Sequence, residues 1–259
     1  EQLWPDFERY LVGYFEPQIT RIKKQQSNSY SVLSDEHFSY GLLASGDAED
    51  VWYSAMDRQS GATLYRYMDG VEEAVTPLKS MAAVDVSHDG QVLVSQIDNC
   101  GQHKLLSDLY LLQGSDLKQI THCDRYRMAR WATDDSIIAL QYEAGIPKLN
   151  RLASSGKLIG TIWKGEVNDV ISSFDVGQKD KIIAAIKFNN QDWNLYELDD
   201  SNWKPISNDA AIQINPVISG NKLTYIQLQS GQSEAHELDL QDPSSAGSKR
   251  AVVRITHTE

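Results

Sequence analysis

Apolar side chains recur every three or four residues over the first 26 residues of the chain. This spacing places them on one side of an amphipathic helix. The residues of the stripe are Leu3, Phe7, Tyr10, Leu11, Tyr14 and Phe15. We expect Pro17 to end or kink this helix, because proline lacks a backbone donor and clashes with the preceding turn. The stripe must pack on something, and two interpretations are open: it flanks the following domain, or it is the tail of a preceding one.

From about residue 30 the helical period gives way to short alternating or β-branched runs, separated by Gly, Asp, Asn and Ser clusters. Apolar runs begin at Val92, Ile137, Ile182 and Leu223, which are 45, 45 and 41 residues apart. Each follows a polar turn, and further strand-like runs come after it. A period of about 40–45 residues with four strands per unit is typical of propeller blades. A β-sandwich would not restart the same order at this interval. The pattern predicts an all-β fold, a β-propeller of four-stranded blades after an N-terminal α-helix.

The repeats also divide the chain. We predict that residues 1–27 form the N-terminal helix, which could be the end of a preceding domain, and that residues 30–259 form the propeller. Five units can be counted, with predicted blades at residues 30–78, 81–123, 127–165, 167–208 and 211–259.

One unit carries the repeat most clearly. It contains VDVSHDG at residues 84–90, VLVS at 92–95, SDLY at 107–110 and KQITH at 118–122. This order resembles the TolB-like propeller repeat, in which Ser-Pro-Asp-Gly, an apolar strand, Asp-Leu/Ile-Tyr and Leu-Thr follow one another. His88 stands in place of the proline. The resemblance implies a propeller that is usually six-bladed, so both five blades and a six-bladed ring remain open.

The opening helix adds a second resemblance. Residues 3–11 (LWPDFERYL) followed by such a propeller are similar to bacterial multidomain proteins in which a gluzincin-type metallopeptidase domain precedes the propeller. A comparable Trp- and Tyr-rich helix closes the peptidase part of those proteins. This chain has no His-Glu-x-x-His, so the resemblance implies no zinc chemistry here.

The composition limits the partners. The formal net charge is −12, and such a surface repels phosphate backbones, so we expect no nucleic-acid partner. Hydrophobic residues make up 41% and charged residues 23% of the chain, as in ordinary globular proteins. No apolar run approaches the ~20 residues of a membrane span, so no transmembrane segment is predicted.

The chain contains few candidates for catalytic or metal-binding residues. No nucleophile elbow, phosphate loop, dinucleotide fingerprint or EF-hand loop is present. We therefore assign no catalytic residue, no cofactor and no metal site. Asp85 and Asp175 are expected near the innermost strands, where five-bladed glycosidases carry carboxylates around the central channel. Aspartates at such positions more often cap turns.

The two cysteines belong to the one polar cluster of note, which consists of Cys100, His103, His122 and Cys123. In a blade, the loop after the second strand and the loop after the fourth strand lie on the same face, so Cys100 and Cys123 can meet. A disulfide, two unpaired thiols and a zinc site remain open. The spacing matches no known structural zinc pattern.

These observations favour a non-catalytic propeller that binds a protein or peptide, or an adjacent domain of the same polypeptide. The expected location is the periplasm or envelope of a Gram-negative bacterium. Two alternatives remain: a glycan-binding or glycan-acting five-bladed propeller, and a structural gate on an adjacent metallopeptidase domain.

Overall fold

A computed structural model describes residues 3–25, 37, 39–40, 44–45, 50–57, 61–189, 191–207, 211–229, 232–240 and 252–254. The N-terminal segment forms one helix, α1, at Leu3–Gln25. Among the described residues, no helix combines the length and the apolar character that crossing a bilayer would require. The expected start of the propeller at residue 30 lies outside the described residues, as do residues 255–259.

The helix does not end at Pro17, so of the two predicted effects of this proline an end of the helix is wrong, and a kink stays a prediction. Proline removes one backbone donor from the helix, which leaves a carbonyl of the preceding turn without its usual partner. The carbonyl concerned is that of Gly13, four residues before Pro17. One residue further on, the side chain of Gln18 adds a hydrogen bond, in which its Nε2 atom donates to the carbonyl oxygen of Tyr14 at 3.1 Å. Regular helix then continues to Gln25.

The rest of the described chain forms five antiparallel sheets. The first blade contains β1 (Ser39–Tyr40), β2 (Ala44–Ser45), β3 (Asp50–Asp57), β4 (Gly61–Met68) and β5 (Val71–Pro77). The second contains β6 (Ala83–Val86), β7 (Val92–Asn99), β8 (Leu105–Gln113) and β9 (Asp116–Gln119). The third contains β10 (Tyr126–Trp131), β11 (Ile137–Glu143), β12 (Ile146–Leu152) and β13 (Leu158–Lys164). The fourth contains β14 (Val170–Val176), β15 (Ile182–Lys187), β16 (Asn194–Asp199) and β17 (Asn202–Pro205). The fifth contains β18 (Ile212–Ser219), β19 (Lys222–Gln229), β20 (Gln232–Asp239) and β21 (Val252–Arg254).

Each sheet is a meander whose strands follow one another in chain order, with the first strand innermost. In the first blade, β1 and β2 share the innermost position, because both pair with β3. Among the described strands, no sheet combines strands from the two ends of the chain. The predicted all-β propeller of four-stranded blades with an N-terminal helix is confirmed, and five blades are present.

The second strand of each central blade is buried on both faces, because neighbouring blades cover it on either side. Every residue from Ile137 to Leu140 is at most 2% exposed, and the run from Ile182 to Ile186 is similarly closed. This double burial explains why these strands are continuously apolar rather than alternating. It also explains why they gave the clearest period in the sequence.

Hydrogen bonds between neighbouring blades supplement this apolar packing. The Ser54 hydroxyl donates to the carbonyl of Ala82, which joins the first two blades, and the Ser95 hydroxyl donates to the carbonyl of Tyr126, which joins the second and third. The backbone N–H of Asn215 donates to the Ser173 hydroxyl, which joins the fourth and fifth. Buried polar groups of one blade thus find their hydrogen-bond partners in the next blade.

Candidate functional site

Three charged residues occupy the same position on the innermost strands of successive blades. They are Asp85 on β6, Arg130 on β10 and Asp175 on β14, each 45 residues from the next. The Nε atom of Arg130 lies 3.2 Å from Oδ1 of Asp175 and 3.9 Å from Oδ1 of Asp85. The structure therefore brings together the two carboxylates that the sequence singled out, and it places between them an arginine that sequence reasoning missed.

The remaining oxygens of this central cluster are bonded to the backbone of the following blade. Oδ2 of Asp85 accepts from the backbone N–H of Trp131 at 2.7 Å, and Oδ2 of Asp175 accepts from that of Ile218 at 2.7 Å. Nη1 of Arg130 donates to the carbonyl of Val84 at 3.2 Å. Each carboxylate thus contacts both the guanidinium and a neighbouring inner strand. This arrangement ties the second, third, fourth and fifth blades together around the channel.

Burial dominates the electrostatics of the central cluster. It raises the pKa of Asp85 to about 6, although the nearby Arg130 acts in the opposite direction. Burial likewise raises the pKa of Asp175, again against the attraction of Arg130. The side chains of Arg130, Asp85 and Asp175 are only 11%, 18% and 16% exposed. Two acids and one base therefore share a poorly hydrated site, where the negative charges are only partly compensated.

We expect Asp85→Asn to remove a gain in stability that the wild-type protein shows on acidification. The pKa of Asp85 is about 6 in the fold against an ordinary value of 3.8, so the folded protein binds more protons between these values. Through this group the free energy of unfolding rises as the pH falls from about 7 to about 4, by roughly 2–3 kcal/mol. Asparagine keeps an oxygen acceptor for the N–H of Trp131 but does not titrate. Urea titrations of both proteins across this range measure the effect.

The comparison between the two proteins is essential to that measurement. Asp50 and Asp134 have lowered pKa values, caused chiefly by side-chain hydrogen bonds with Arg66 and Ser136, so their contributions are lost as the pH falls. The contributions of Asp50 and Asp134 are the same in wild type and variant, so they cancel when the two free energies of unfolding are subtracted. If the difference in the free energy of unfolding between wild type and variant stays constant from about pH 7 to about pH 4, Asp85 titrates as an exposed carboxyl.

A second feature is a groove of about 440 Å³ between the second and third blades, on the face where the innermost strands begin. We call it the blade 2–3 groove. Its lining residues are Met81, Ala83, Ser95, Gln96, Ile97, Leu105, Leu106, Ser107, Arg125, Arg127, Tyr142 and Gly145. A smaller cavity of about 270 Å³ shares Met81, Ala83 and Arg127 with it and extends toward the start of β14. The groove is therefore continuous with the inner strands of three blades.

Exposed apolar and cationic side chains dominate the blade 2–3 groove. Ile97 and Leu105 are 47% and 68% exposed. The guanidinium of Arg127 lies 5.6 Å from the centre of the Tyr142 ring, which gives a cation–π contact. Arg125 is exposed beside it. This groove has no signature in the sequence, because its residues come from strands and loops far apart in the chain.

A disulfide lies beside the groove. Cys100, after β7, is bonded to Cys123, between β9 and β10, with Cα atoms 5.5 Å apart. The buried carboxylate of Asp108 supports the same turn, because it accepts hydrogen bonds from the backbone N–H groups of Cys123 at 2.7 Å and Asp124 at 3.1 Å. Together these contacts fix the segment that leads into Arg125.

The other members of the predicted cysteine–histidine cluster stay apart from this bond. His103 and His122 are exposed, and Nδ1 of His122 lies 3.4 Å from Nε2 of Gln119. The two cysteine sulfurs are bonded to each other. Within the described part of the chain, no group of three or more His, Cys, Asp or Glu side chains is placed to hold a metal ion.

The five meander sheets define the described chain as a five-bladed β-propeller. No protein-family model matches the sequence, and no curated protein is significantly similar to it in sequence. Solved structures are similar in fold. The crystal structure of TolB from Acinetobacter baumannii matches with a TM-score of 0.67 and 14% identity over 83% of this chain and 54% of that one.

Two further structures extend this comparison. A TolB candidate from Agrobacterium tumefaciens matches with a TM-score of 0.65 and 14% identity, over 90% of this chain and 85% of that one. The tricorn protease matches with a TM-score of 0.60 and 13% identity, over 85% of this chain and 22% of that one. This chain therefore spans about half of the Acinetobacter TolB chain and about a fifth of the tricorn protease chain. The similarity confirms the TolB-like fold.

Proposed function

We propose that this chain is a non-catalytic propeller module that binds a protein or peptide through the blade 2–3 groove, in the envelope of a Gram-negative bacterium. The groove carries the proposal, because it presents exposed Ile97 and Leu105 together with two exposed arginines. Its volume of about 440 Å³ lies in the range of about 300–1,000 Å³ that is usual for binding sites. An apolar patch with a polar rim at a domain surface is the usual form of a recognition site.

The central cluster supports the non-catalytic part of this proposal. A glycoside-cleaving site needs one carboxyl to donate a proton and a second to act on water or sugar. Here both oxygens of Asp175 are hydrogen-bonded, one to Arg130 and one to the N–H of Ile218. Asp85 accepts a hydrogen bond from the N–H of Trp131 through Oδ2, and its Oδ1 forms a longer ion pair with Arg130 at 3.9 Å. These partners favour a structural role for the two carboxylates over the glycan-acting alternative.

The disulfide supports the proposed compartment. Bonds such as Cys100–Cys123 persist in oxidising environments, which include the bacterial periplasm, and are rare in the cytosol. The likeness in fold to TolB from Acinetobacter baumannii is consistent with a bacterial envelope protein. The disulfide thus supports the proposed periplasmic location.

Helix α1 favours a second candidate function, in which the module belongs to a larger polypeptide and serves as a structural gate for an adjacent peptidase domain. Its aromatic side chains face outward, with Trp4 and Tyr10 65% and 64% exposed. Surfaces of this kind are commonly covered by another domain. The similarity in fold to a part of the tricorn protease supports the same candidate function.

We test the main proposal with photo-crosslinking in living cells. A benzophenone amino acid at Leu105, which is 68% exposed in the groove, should give a discrete adduct with one partner on irradiation. The matched control is the same amino acid at Ser154, which lines a polar depression at the opposite ends of the strands. The adducts are resolved by gel and identified by mass spectrometry. Equal adducts at both positions, or none at Leu105, would refute binding through the groove.

The same method separates the second candidate. A benzophenone at Tyr10 that crosslinks within the same polypeptide, to residues outside the propeller, would support a neighbouring domain on α1. Crosslinks from Tyr10 to other proteins alone would count against the gate.

A further inference from the structure

The charge of the blade 2–3 groove is opposite to that of the whole protein. The chain has 24 lysines and arginines against 36 aspartates and glutamates, and its net charge is −12. None of the twelve residues that line the groove is acidic, and two of them, Arg125 and Arg127, are cationic. A cationic groove in an acidic surface concentrates anionic groups locally while the surrounding surface repels them.

The two arginines are available to a ligand. Among the described residues, no carboxylate lies within the 4.0 Å of a salt bridge from either guanidinium. Glu143 interacts electrostatically with Arg125, but the pKa of Glu143 is lowered mainly by its hydrogen bond with Lys148 and only to a smaller extent by Arg125. Glu143 therefore already has its own cationic partner. An exposed guanidinium without an acidic partner is well suited to bidentate binding of a carboxylate.

The guanidinium of Arg127 and the backbone that leads into Arg125 are restrained before any ligand arrives. Arg127 stacks on the Tyr142 ring, with 5.6 Å from its Cζ atom to the ring centre. Arg125 follows directly after the turn that the Cys100–Cys123 disulfide and the Asp108 carboxylate hold in place. Restraint of this kind reduces the entropy lost on binding.

Apolar side chains complete the chemistry of the groove. Ile97 and Leu105 are exposed next to the arginines, and Met81 and Leu106 also line the groove. An occupant must therefore offer both a carboxylate and an apolar side chain within a short distance. A nucleic acid or a free phosphate would satisfy the charge but would leave the apolar wall uncovered.

We infer that the blade 2–3 groove binds a short acidic segment of a partner protein, in which a carboxylate pairs with Arg127 and Arg125 while a neighbouring aliphatic or aromatic side chain packs on Leu105 and Ile97. The carboxylate comes from an aspartate or glutamate side chain or from the chain terminus of the partner. This inference rests on the proposed function and gives its ligand class.

The test measures fluorescence anisotropy with fluorescein-labelled hexapeptides. One peptide alternates leucine with aspartate and has an amidated terminus, one has asparagine in place of aspartate, and a third has the asparagine sequence with a free terminal carboxylate. We expect the aspartate peptide, the free-terminus peptide or both to bind at least about tenfold more tightly than the neutral amidated peptide, because hydrogen bonds to charged groups stabilise strongly. Added salt should weaken this binding, since the pair is solvent-accessible.

Variants locate the site. Arg127→Gln should weaken binding of the preferred acidic peptide about tenfold, in line with the loss of one charge-assisted pair. Lys157→Gln is the matched control, because it removes the same charge from an exposed residue at the opposite ends of the strands and should leave the affinity unchanged. Leu105→Ser should weaken binding without any change of charge. Thermal melting of each variant verifies that it is folded.

The outcomes separate this inference from the proposed function. Equal affinity for the acidic and neutral peptides, or equal losses in Arg127→Gln and Lys157→Gln, would overturn the acidic ligand. If the Leu105 crosslink to a partner persists in that case, groove binding stands and only the ligand class is wrong. Absence of that crosslink removes the proposed function itself.

Discussion

Replacing Arg130 by methionine should lower the free energy of unfolding by about 3–5 kcal/mol at neutral pH. The cost of removing one partner of a buried ion pair is of this order, because the remaining charge is left in a poorly hydrated site. Here two carboxylates, Asp85 and Asp175, lose the same partner at once. Methionine keeps much of the length of the arginine stem, so the loss reports charge rather than a cavity. Equilibrium unfolding in urea measures it.

Two controls make the Arg130→Met result specific. The triple variant with Asp85→Asn and Asp175→Asn should regain most of the lost stability, since no unpaired charge remains. The single variant should also recover part of its deficit at about pH 5, because both carboxyls already have raised pKa values and protonate more readily without the arginine. A loss below about 1 kcal/mol would mean that the cluster is solvated like a surface ion pair.

The second large effect concerns the disulfide. Cys100→Ser with Cys123→Ser should lower the free energy of unfolding by about 3 kcal/mol, from the chain entropy that a crosslink removes from the unfolded state. The bond joins residues 23 positions apart, so the closed loop is of moderate length. Unfolding in guanidinium chloride measures the change. A reductant should destabilise the wild type by a similar amount.

The double serine variant provides the internal control for that experiment. The reductant should not alter its stability, because it has no cysteine left. The disulfide would be contradicted if thiol reagents modified both cysteines of the wild type in the absence of reductant. It would also be contradicted if the double serine variant were as stable as the wild type.

The sequence was sufficient for the fold because burial in a propeller is itself periodic. Strands such as β7 and β11 are covered on both faces by neighbouring blades, and they are therefore continuously apolar. Their apolar runs begin at Val92 and Ile137, and the spacing between these two residues is the length of one blade repeat. The turns were more variable. Asp135 stands where the repeat has glycine, yet it adopts the left-handed conformation with φ of 58°, as aspartate does at modest cost.

The central cluster was only half predicted. Asp85 and Asp175 were identified by their nearness to the inner strands, whereas Arg130 was missed. A signal was available, since Arg130 occupies the same position of the repeat, 45 residues from each aspartate. A base between two acids at equivalent positions indicates an ion cluster across blades.

The blade 2–3 groove could not be predicted from the sequence. It depends on the angle between neighbouring blades and on where Leu105, Arg127 and Tyr142 come together. The hydrophobic period fixes the order of strands within a blade but carries no information about that angle. The continuation of helix α1 past Pro17 was not predicted either, because the general rule for proline inside a helix allows an end as well as a kink.

The order of strands within the sheets has a mechanical consequence. In the described part of the chain each blade uses only consecutive strands, so no strand from one terminus completes a sheet of the other. Successive blades are joined by the polypeptide itself and by contacts such as Ser54 with Ala82 and Asp175 with Ile218. Among the described residues, the first and fifth blades share neither a covalent link nor a strand. Opening the ring between these two blades would therefore break no strand pairing of the described sheets, so the ring can expand there at the lowest cost in backbone hydrogen bonds.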